Sequence, residues 1–162
     1  MVSREILDGL RFFQGLPAEY VEQLAGIAEE RNVEAGSMLF REGETASHVH
    51  IVCTGKVSLQ IRVPGRGPIE LQTIGPGELL GWSALLNNGP MTAAARAATD
   101  CRLISLNAVQ LLALCEHEPR LGMEVMRRLA SSLSQRLRYT RLHLLDVYRH
   151  EFPPSAAGGG QS

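Results

Sequence analysis

Glycine-bearing turns break the middle of the chain, residues 32–107, into short segments rich in β-forming side chains. Turn signals recur about every 8–12 residues, and this spacing is typical of an all-β sandwich, barrel or jelly roll. Residues 63–68 (VPGRGP) form the clearest hairpin loop. The predicted strands cover residues 37–41, 49–53, 56–63, 69–74, 94–99 and 102–107.

Helical patterns flank this β region on both sides. Before it, apolar residues recur at helical spacing within residues 3–13, and Pro17 suits the first turn of a second helix. After it, residues 108–117 read as a short helix, and Pro119 opens a longer one. We therefore predict one domain over residues 1–150, with N-terminal helices at about 3–30, a jelly roll at about 32–107, C-terminal helices at about 108–151 and a disordered tail at 152–162.

The long C-terminal helix carries an apolar seam with the spacing of a coiled coil. Its members alternate steps of four and three residues over three heptads, and they are Met126, Ala130, Leu133, Leu137, Thr140, Leu144 and Val147. A second apolar stripe, at Leu129, Leu142 and Leu145, is expected to face the β region. Because one helix cannot bury two stripes against one small domain, we predict a parallel homodimer through residues 126–147. The alternative is packing wholly within the monomer.

Charge is unevenly distributed, although the whole chain is nearly neutral. The formal net charge of −1 argues against a generally basic nucleic-acid-binding protein. Residues 1–46 hold four basic and nine acidic residues, whereas residues 126–149 hold six arginines and a single acid, Asp146. This basic helix is either a solvated face or a surface for nucleic acid or an acidic partner.

The cysteines and the apolar segments indicate a cytoplasmic protein. The three cysteines, Cys53, Cys101 and Cys115, lie far apart and form no CxxC pair, which suits a reducing compartment. No apolar run reaches the roughly 18 residues that a membrane span needs. The first residues also lack the basic-then-apolar pattern of a signal peptide.

The segment of residues 75–100 is the most informative for function. It starts with GPGELLG, which places Glu78 between glycines, and a short helix can begin near Gly81. A turn of this kind presents backbone N–H groups that bind anions. A carboxylate beside it can accept hydrogen bonds from a sugar hydroxyl. The combination suits a nucleotide monophosphate, although a purely structural β-turn accounts for the same spacing.

Four segments, in order along the chain, resemble motifs of the cyclic nucleotide-binding domain family. This family includes the sensor domains of catabolite activator-type regulators and the regulatory subunits of protein kinase A. Residues 36–44 (GSMLFREGE) resemble the family's strand and turn, and residues 50–59 (HIVCTGKVSL) resemble its strand pair. Residues 75–81 (GPGELLG) resemble the start of its phosphate-binding cassette, and residues 96–100 (RAATD) resemble the strand that follows. The resemblance covers about residues 10–150.

This resemblance implies a mainly β fold, an eight-stranded jelly roll (double-stranded β-helix) with N-terminal helices and a long C-terminal dimerisation helix. It also implies a binding site for cAMP, cGMP or another small anionic ligand, and no metal. In the family, the cassette glutamate binds the ribose 2′-hydroxyl and the cassette amides bind the cyclic phosphate. The positions carried over to this chain are Gly77, Glu78, Leu79, Leu80, Gly81, Trp82 and Ser83.

One position departs from the family pattern. The family cassette usually ends in an arginine that pairs with the cyclic phosphate, and here Met91 takes that place, followed by Thr92. Loss of such a charge-assisted pair costs about 2–5 kcal/mol if nothing replaces it, or roughly 30-fold or more in affinity. Arg136, on the long helix, restores the positive charge if it points into the pocket. The stretch from Glu78 to Met91 is also longer than usual, with an extra turn predicted at residues 86–89.

The end of the chain departs from the catabolite activator-type pattern as well. Those proteins continue into a helix-turn-helix module, whereas fifteen residues follow Val147 here. We therefore expect a sensor and dimer unit that does not itself read DNA and that acts through an unidentified protein partner. The alternative is a degenerate domain that serves as a ligand-independent interaction or dimerisation module. The sequence shows no dedicated acid–base pair of the kind that an enzyme needs, so we do not expect catalysis. His48 and His50 could form a metal pair on one face of a strand, but they lack a third ligand nearby.

Overall fold

The computed structural model describes residues 1–86 and 90–154. Within them, eight strands form two four-stranded antiparallel sheets, in the orders β1-β8-β3-β6 and β2-β7-β4-β5. The strands are β1 Ala28–Val33, β2 Met38–Phe40, β3 His48–Thr54, β4 Val57–Val63, β5 Gly67–Ile74, β6 Leu79–Leu80, β7 Ala94–Ala97 and β8 Cys101–Asn107. This arrangement confirms the predicted jelly roll. Strands β4 and β5 also pair across the predicted hairpin, where Val63 lies opposite Gly67.

Helices precede and follow the roll, and one short helix lies within it. They are α1 Arg4–Asp8, a 3-10 helix at Arg11–Phe13, α2 Ala18–Ile27, α3 Ser83–Leu86, α4 Ala108–His117 and α5 Pro119–Glu151. The side chain of Asn107 caps α4 by accepting a hydrogen bond from the Gln110 amide. Pro119 starts α5, where a missing N–H costs no helical hydrogen bond.

The first strand begins where the sequence predicts the end of a helix. Helix α2 ends at Ile27, short of the predicted limit near residue 30, and β1 follows directly. Its sequence, AEERNV, lacks the alternation of a half-buried strand, yet all six residues pair with β8. Because β1 is an edge strand, it tolerates these charges, and Glu30 forms a 2.5 Å ion pair with Arg102 of β8. Pairing with β8, rather than local pattern, therefore determines this segment.

Apolar side chains fill two separate layers. The helices pack on one face of the β1-β8-β3-β6 sheet, where the sheet residues Val49 and Ile104 meet the helix residue Leu121. A second core lies within the roll, and it includes Val52, Val57, Ile74, Leu80, Met91, Ala95 and Leu103. Since β6 contributes Leu79 to the first core and Leu80 to the second, this two-residue strand is fixed from both sides.

Helix α5 is held against the domain only along its first half. Arg128 donates hydrogen bonds to the backbone carbonyls of Phe12 and Gln14 at 2.7 and 2.6 Å, and pairs with Glu124 at 2.6 Å. From Leu137 onward, the described side chains of the helix are exposed. The first half of α5 is therefore anchored, and the second half is free along most of its circumference.

The predicted second stripe of α5 is only partly correct. Leu129 is buried, but Leu142 and Leu145 are 59% and 53% exposed and do not pack on the roll. The reason is the rotation of the helix, which turns the face with Leu144 and Val147 toward the roll instead. Three members of the predicted dimer seam, Thr140, Leu144 and Val147, therefore also border the cavity against the β domain.

Some predictions fall at or beyond the limits of the described chain. Residues 152–154 follow α5 without regular structure, and the rest of the predicted disordered tail, 155–162, lies outside the described residues. Of the predicted extra turn at 86–89, residues 87–89 also lie outside the described residues, and Leu86 is the last residue of α3. Over the two described ranges, no helix combines the length and the apolar character that crossing a membrane requires.

Candidate ligand-binding site

The turn before β6 holds Glu78 in a defined position. Gly77 has a φ of +83°, which a side chain rarely allows, and its amide donates to the Val52 carbonyl at 2.7 Å. The Glu78 carboxylate accepts a hydrogen bond from the Gly75 amide at 2.6 Å. Glu78 is half-buried and borders a cavity. One of its carboxylate oxygens is therefore bonded within the turn, while the side chain still faces the cavity.

A second turn follows β6 at residues 81–83. Gly81 has a φ of +79°, and a Cβ added there would lie 2.8 Å from the His48 carbonyl oxygen. The turn leads directly into α3, which begins at Ser83. Within the described part of the chain, the turn and loop hydrogen bonds include none donated by the amides of Gly81, Trp82 or Ser83. These are the amides that the family resemblance assigns to the cyclic phosphate.

Met91 lies beside this second turn. Its backbone is fixed by hydrogen bonds to Glu44 and from Gly43, at 2.7 and 2.8 Å. Its side chain is only 5% exposed, and its Cε lies 3.6 Å from the position that a Cβ on Gly81 would take. Thr92, the next residue, is exposed. An apolar thioether therefore stands where the resemblance expects a cation.

Arg136 reaches the site from α5. Its guanidinium donates a hydrogen bond to the Leu79 carbonyl, so the side chain points toward β6 and not into solvent. Burial lowers the pKa of Arg136 because the charged form loses hydration, and the nearby Glu78 carboxylate partly opposes this effect. Arg136 thus supplies a cation close to Glu78, from a different element than the one that carries it in the family pattern.

Two cavities meet at Arg136. The polar cavity, of about 340 Å³, is bordered by Gly77, Glu78 and Leu79, and on α5 by Gln135 and Tyr139. The apolar cavity, of about 380 Å³, is bordered by a larger set of residues, among them Phe40, Leu80, Gly81, Trp82, Ser83, Met91, Thr92, Thr140, Leu144 and Val147. Arg136 and Gln72 border both, so they stand between the two spaces.

All ten residues predicted for the site therefore border one of two adjoining cavities. Leu79 and Leu80 do so although their side chains belong to the apolar cores, and the Leu79 carbonyl is the atom that bonds Arg136. Sequence reasoning missed Gln72 on β5, and Tyr139 and His143 on α5. The only sequence signal for the two helix residues is their spacing of three and seven from Arg136, which places them on one helical face.

Other chemically active groups do not border the two cavities. His50 is buried and its Nδ1 lies 2.6 Å from the Ser105 hydroxyl. Burial, with Arg31 and His48 nearby, lowers the pKa of His50 to about 4. Within the described ranges, His, Cys, Asp and Glu side chains form no cluster of three or more that could hold a metal ion. Cys53, Cys101 and Cys115 are free thiols.

The jelly roll, the glycine–glutamate turn and the two cavities beneath α5 define a β-roll domain flanked by helices. The chain matches the family profile described as cyclic nucleotide-binding domain over residues 30–118. The chain therefore belongs to the cyclic nucleotide-binding domain family.

Relatives from bacteria support this assignment. The chain is 28% identical over 153 residues to the CRP-like cAMP-activated global transcriptional regulator of Mycobacterium tuberculosis, which covers 94% of this chain and 66% of the relative. It also resembles the crystal structure of Thermus thermophilus catabolite activator protein, with a TM-score of 0.69 and 32% identity, over 84% of this chain and 62% of that one. The chain spans less than two thirds of the length of the curated regulators it matches, 66% of the Mycobacterium tuberculosis regulator and 62% of the Thermus thermophilus cyclic AMP receptor protein.

A third similarity extends over a whole solved chain. The N-terminal domain of a transcriptional regulator from Streptomyces coelicolor matches with a TM-score of 0.67 and 28% identity, over 93% of this chain and 99% of that chain. The similarity therefore includes the flanking helices as well as the roll.

Proposed function

We propose that this chain is a non-catalytic sensor that binds a cyclic nucleotide between the jelly roll and α5 and signals through an α5 homodimer to a partner protein. The observation that carries the proposal is the meeting of Glu78 and Arg136 beside β6, at two cavities that α5 covers. A carboxylate accepts hydrogen bonds from ribose hydroxyls, and a guanidinium can neutralise a phosphate. The relatives named as a cAMP-activated regulator and a cyclic AMP receptor protein support this ligand class.

Arg136 gives the sensor a means of coupling ligand to helix. Its guanidinium bonds the Leu79 carbonyl. A phosphate at the second turn would compete for that guanidinium, so binding would favour a different position of Arg136 and of the helix that carries it. The ligand therefore acts by preferring one arrangement of α5 over another.

Calorimetric titration tests the binding step. We expect cAMP or cGMP to bind more weakly than to a site with the cassette arginine, because Met91 offers no charge and Arg136 must leave the Leu79 carbonyl to replace it. Glu78→Ala should abolish the signal, and Glu70→Ala, at an exposed position on β5, should leave it unchanged. Absence of heat for both nucleotides up to about millimolar concentration, with an intact fold, would contradict the proposal.

That negative result would favour a second function, a ligand-independent dimerisation or interaction module. The observation in its favour is Met91, which is buried in the apolar core of the roll at the position expected to bind phosphate. The hydrogen bond from Gly75 also means that the Glu78 carboxylate is partnered without any ligand. We place either function in the cytoplasm, in keeping with the free thiols.

The dimerisation step rests on the second half of α5. Leu137, Leu144 and Tyr148 are 53%, 66% and 60% exposed, a density of apolar side chains that a lone helix would leave in water. Light scattering after size exclusion should give a dimer for the wild type and a monomer for the double variant Leu137→Glu, Leu144→Glu, which changes two exposed members of the seam. Val109→Glu, at an exposed apolar position on α4, is the control that should stay dimeric. A monomeric wild type would contradict this step.

A further inference from the structure

Arginines lie along one exposed face of α5. At 3.6 residues per turn they fall within an arc of about 80°, and they extend over about 44 Å of the helix. Within this arc, α5, which the structure describes over Pro119–Glu151, carries no aspartate or glutamate. We call this set the basic stripe, and its members, all exposed, are Arg120, Arg127, Arg138, Arg141 and Arg149.

The basic stripe faces away from the β roll and from the predicted dimer seam. The buried residues of the helix, among them Leu121, Val125 and Leu129, lie about 120–200° around the helix axis from Arg127. The seam residues lie at about 200–300° by the same measure. The stripe therefore stays in solvent in the monomer and in the proposed dimer alike.

Contacts within the chain neutralise little of this charge. Among the ion pairs of the described residues, one involves the basic stripe, and it joins Arg127 to Glu124 at 3.5 Å. Arg138 and Arg141 are three residues apart, so they are neighbours on the helix surface and repel each other. An anionic partner would relieve this repulsion and would gain charge-assisted hydrogen bonds from the guanidinium groups.

Exposed leucines accompany the charges and narrow the choice of partner. Leu145 lies within the arc and Leu142 lies beside it, 53% and 59% exposed, and neither borders a cavity. A nucleic-acid backbone offers negative charge but little that would cover these side chains. An amphipathic acidic helix offers carboxylates and apolar side chains together.

We infer that the basic stripe docks an amphipathic acidic helix of the partner protein, with carboxylates on the arginines and apolar side chains on Leu142 and Leu145. The inference rests on the proposed function for the existence of a partner, and it adds the surface and the chemistry of the contact. Because Arg136 and the stripe belong to the same helix, a ligand that moves α5 also moves the docking surface.

Fluorescence anisotropy with a labelled peptide tests the docking. The probe is a synthetic helix of three heptads, each with four glutamates and two leucines, and the control peptide has lysine in place of glutamate. We expect the glutamate peptide to bind the full chain saturably and at least about tenfold more tightly than the lysine peptide. Its affinity should fall as salt is added, because the charges on both sides are exposed.

Two double variants locate the docking surface. Arg138→Glu, Arg149→Glu should lower the peptide affinity about tenfold or more, because two attractions become repulsions. Leu142→Ser, Leu145→Ser should lower it about threefold or more, because apolar area stays in water. These residues border neither cavity and are not members of the seam, so cAMP binding and dimer mass should not change.

The matched control carries the same charge change elsewhere. Arg62→Glu, Arg66→Glu alters two exposed arginines at the end of β4 and in its hairpin, and it should bind the peptide like the wild type. Thermal unfolding checks that each variant remains folded.

Several results would overturn the inference. They are the absence of saturable binding by the glutamate peptide, equal binding of the lysine peptide, and binding that the arginine variant does not reduce. Tighter binding of a single-stranded DNA of about 20 nucleotides, lost in the arginine variant and kept in the leucine variant, would assign the stripe to nucleic acid instead. Mass beyond a dimer that the arginine variant removes would assign it to further copies of this chain.

Nucleotide calorimetry and light scattering on the same samples separate this inference from the proposed function. A dimer that binds cAMP but not the glutamate peptide would overturn the present inference alone. Peptide binding at the stripe by a chain that binds neither cAMP nor cGMP would overturn the proposed sensor function alone.

Discussion

The two turns on either side of β6 share their backbone shape but not their chemistry. Gly77 before the strand and Gly81 after it both adopt left-handed conformations. The first turn positions a carboxylate, Glu78, whereas the second lies against the thioether of Met91. The comparison teaches that two glycine turns can share a backbone shape while the side chains beside them differ in charge, so shape alone does not establish ligand affinity.

The largest expected effect comes from placing a cation beside the second turn, where Met91 now lies. Met91→Arg should raise cAMP affinity about 30-fold or more, because a charge-assisted phosphate contact contributes about 2–5 kcal/mol. Calorimetry measures the change, and thermal unfolding confirms that the buried position accepts the longer side chain. Met123→Arg introduces the same charge at an exposed position of α5 and should leave the cAMP affinity unchanged. An unchanged affinity in a folded Met91→Arg protein would show that the second turn does not meet the phosphate.

Acid should destabilise the fold through His50, which lies beside the second turn. Its Cδ2 is 3.5 Å from the Cβ position of Gly81, and burial is the main cause that lowers its pKa to about 4. Between about pH 6.5 and pH 4 the unfolded chain binds a proton at His50 and the folded chain does not. The free energy of unfolding should therefore fall as pH falls through this window, by at most about 3 kcal/mol.

Urea unfolding across that pH range measures the effect. His50→Gln should flatten the pH dependence, whereas His48→Gln, at a half-buried neighbour, should change it little. An equal pH dependence in the wild type and in His50→Gln would assign the acid sensitivity to other groups.

Glu78→Gln tests the first turn in isolation. The amide oxygen can still accept the Gly75 hydrogen bond, but the charge that strengthens a bond from a ribose hydroxyl is gone. We expect cAMP affinity to fall by about 1.5–3 kcal/mol, roughly 10- to 100-fold, with little change in stability. The Met91→Arg background makes this loss easier to measure. Equal binding by the wild type and the Glu78→Gln variant would remove the ribose contact from the mechanism.

A pair of glycine substitutions compares the backbone of the site. Gly81→Ala should destabilise the fold by about 1–3 kcal/mol, because its φ of +79° disfavours a side chain and the Cβ would meet the His48 carbonyl. Gly75→Ala has no atom within 4 Å of its Cβ and no positive φ, so its effect should stay within about 0.5 kcal/mol. Thermal unfolding reports both, and similar losses for the two variants would show that the second turn is not strained.

Local sequence patterns determined the roll and the first turn, because glycine spacing and the GPGELLG segment act over a few residues. They did not reveal β1, whose charged sequence becomes a strand only by pairing with β8. Nor did they reveal the helix side of the cavities. Tyr139 and His143 border them only because of the rotation of α5, which depends on distant packing around Leu129 and Arg128. The choice of ligand depends on that same rotation of α5, because it determines which side chains border the cavities.

Arg128 anchors α5 at one point, so a rotation of the helix about that point moves its far end more than the residues near it. From the rise of about 1.5 Å per residue, Arg136 lies about 12 Å beyond Arg128, and the end of the helix at Glu151 lies about 35 Å beyond it. A rotation of about 5° there moves the site by roughly 1 Å and the helix tip by roughly 3 Å. Small displacements at Arg136 are thus magnified about threefold at the end of α5 near Glu151.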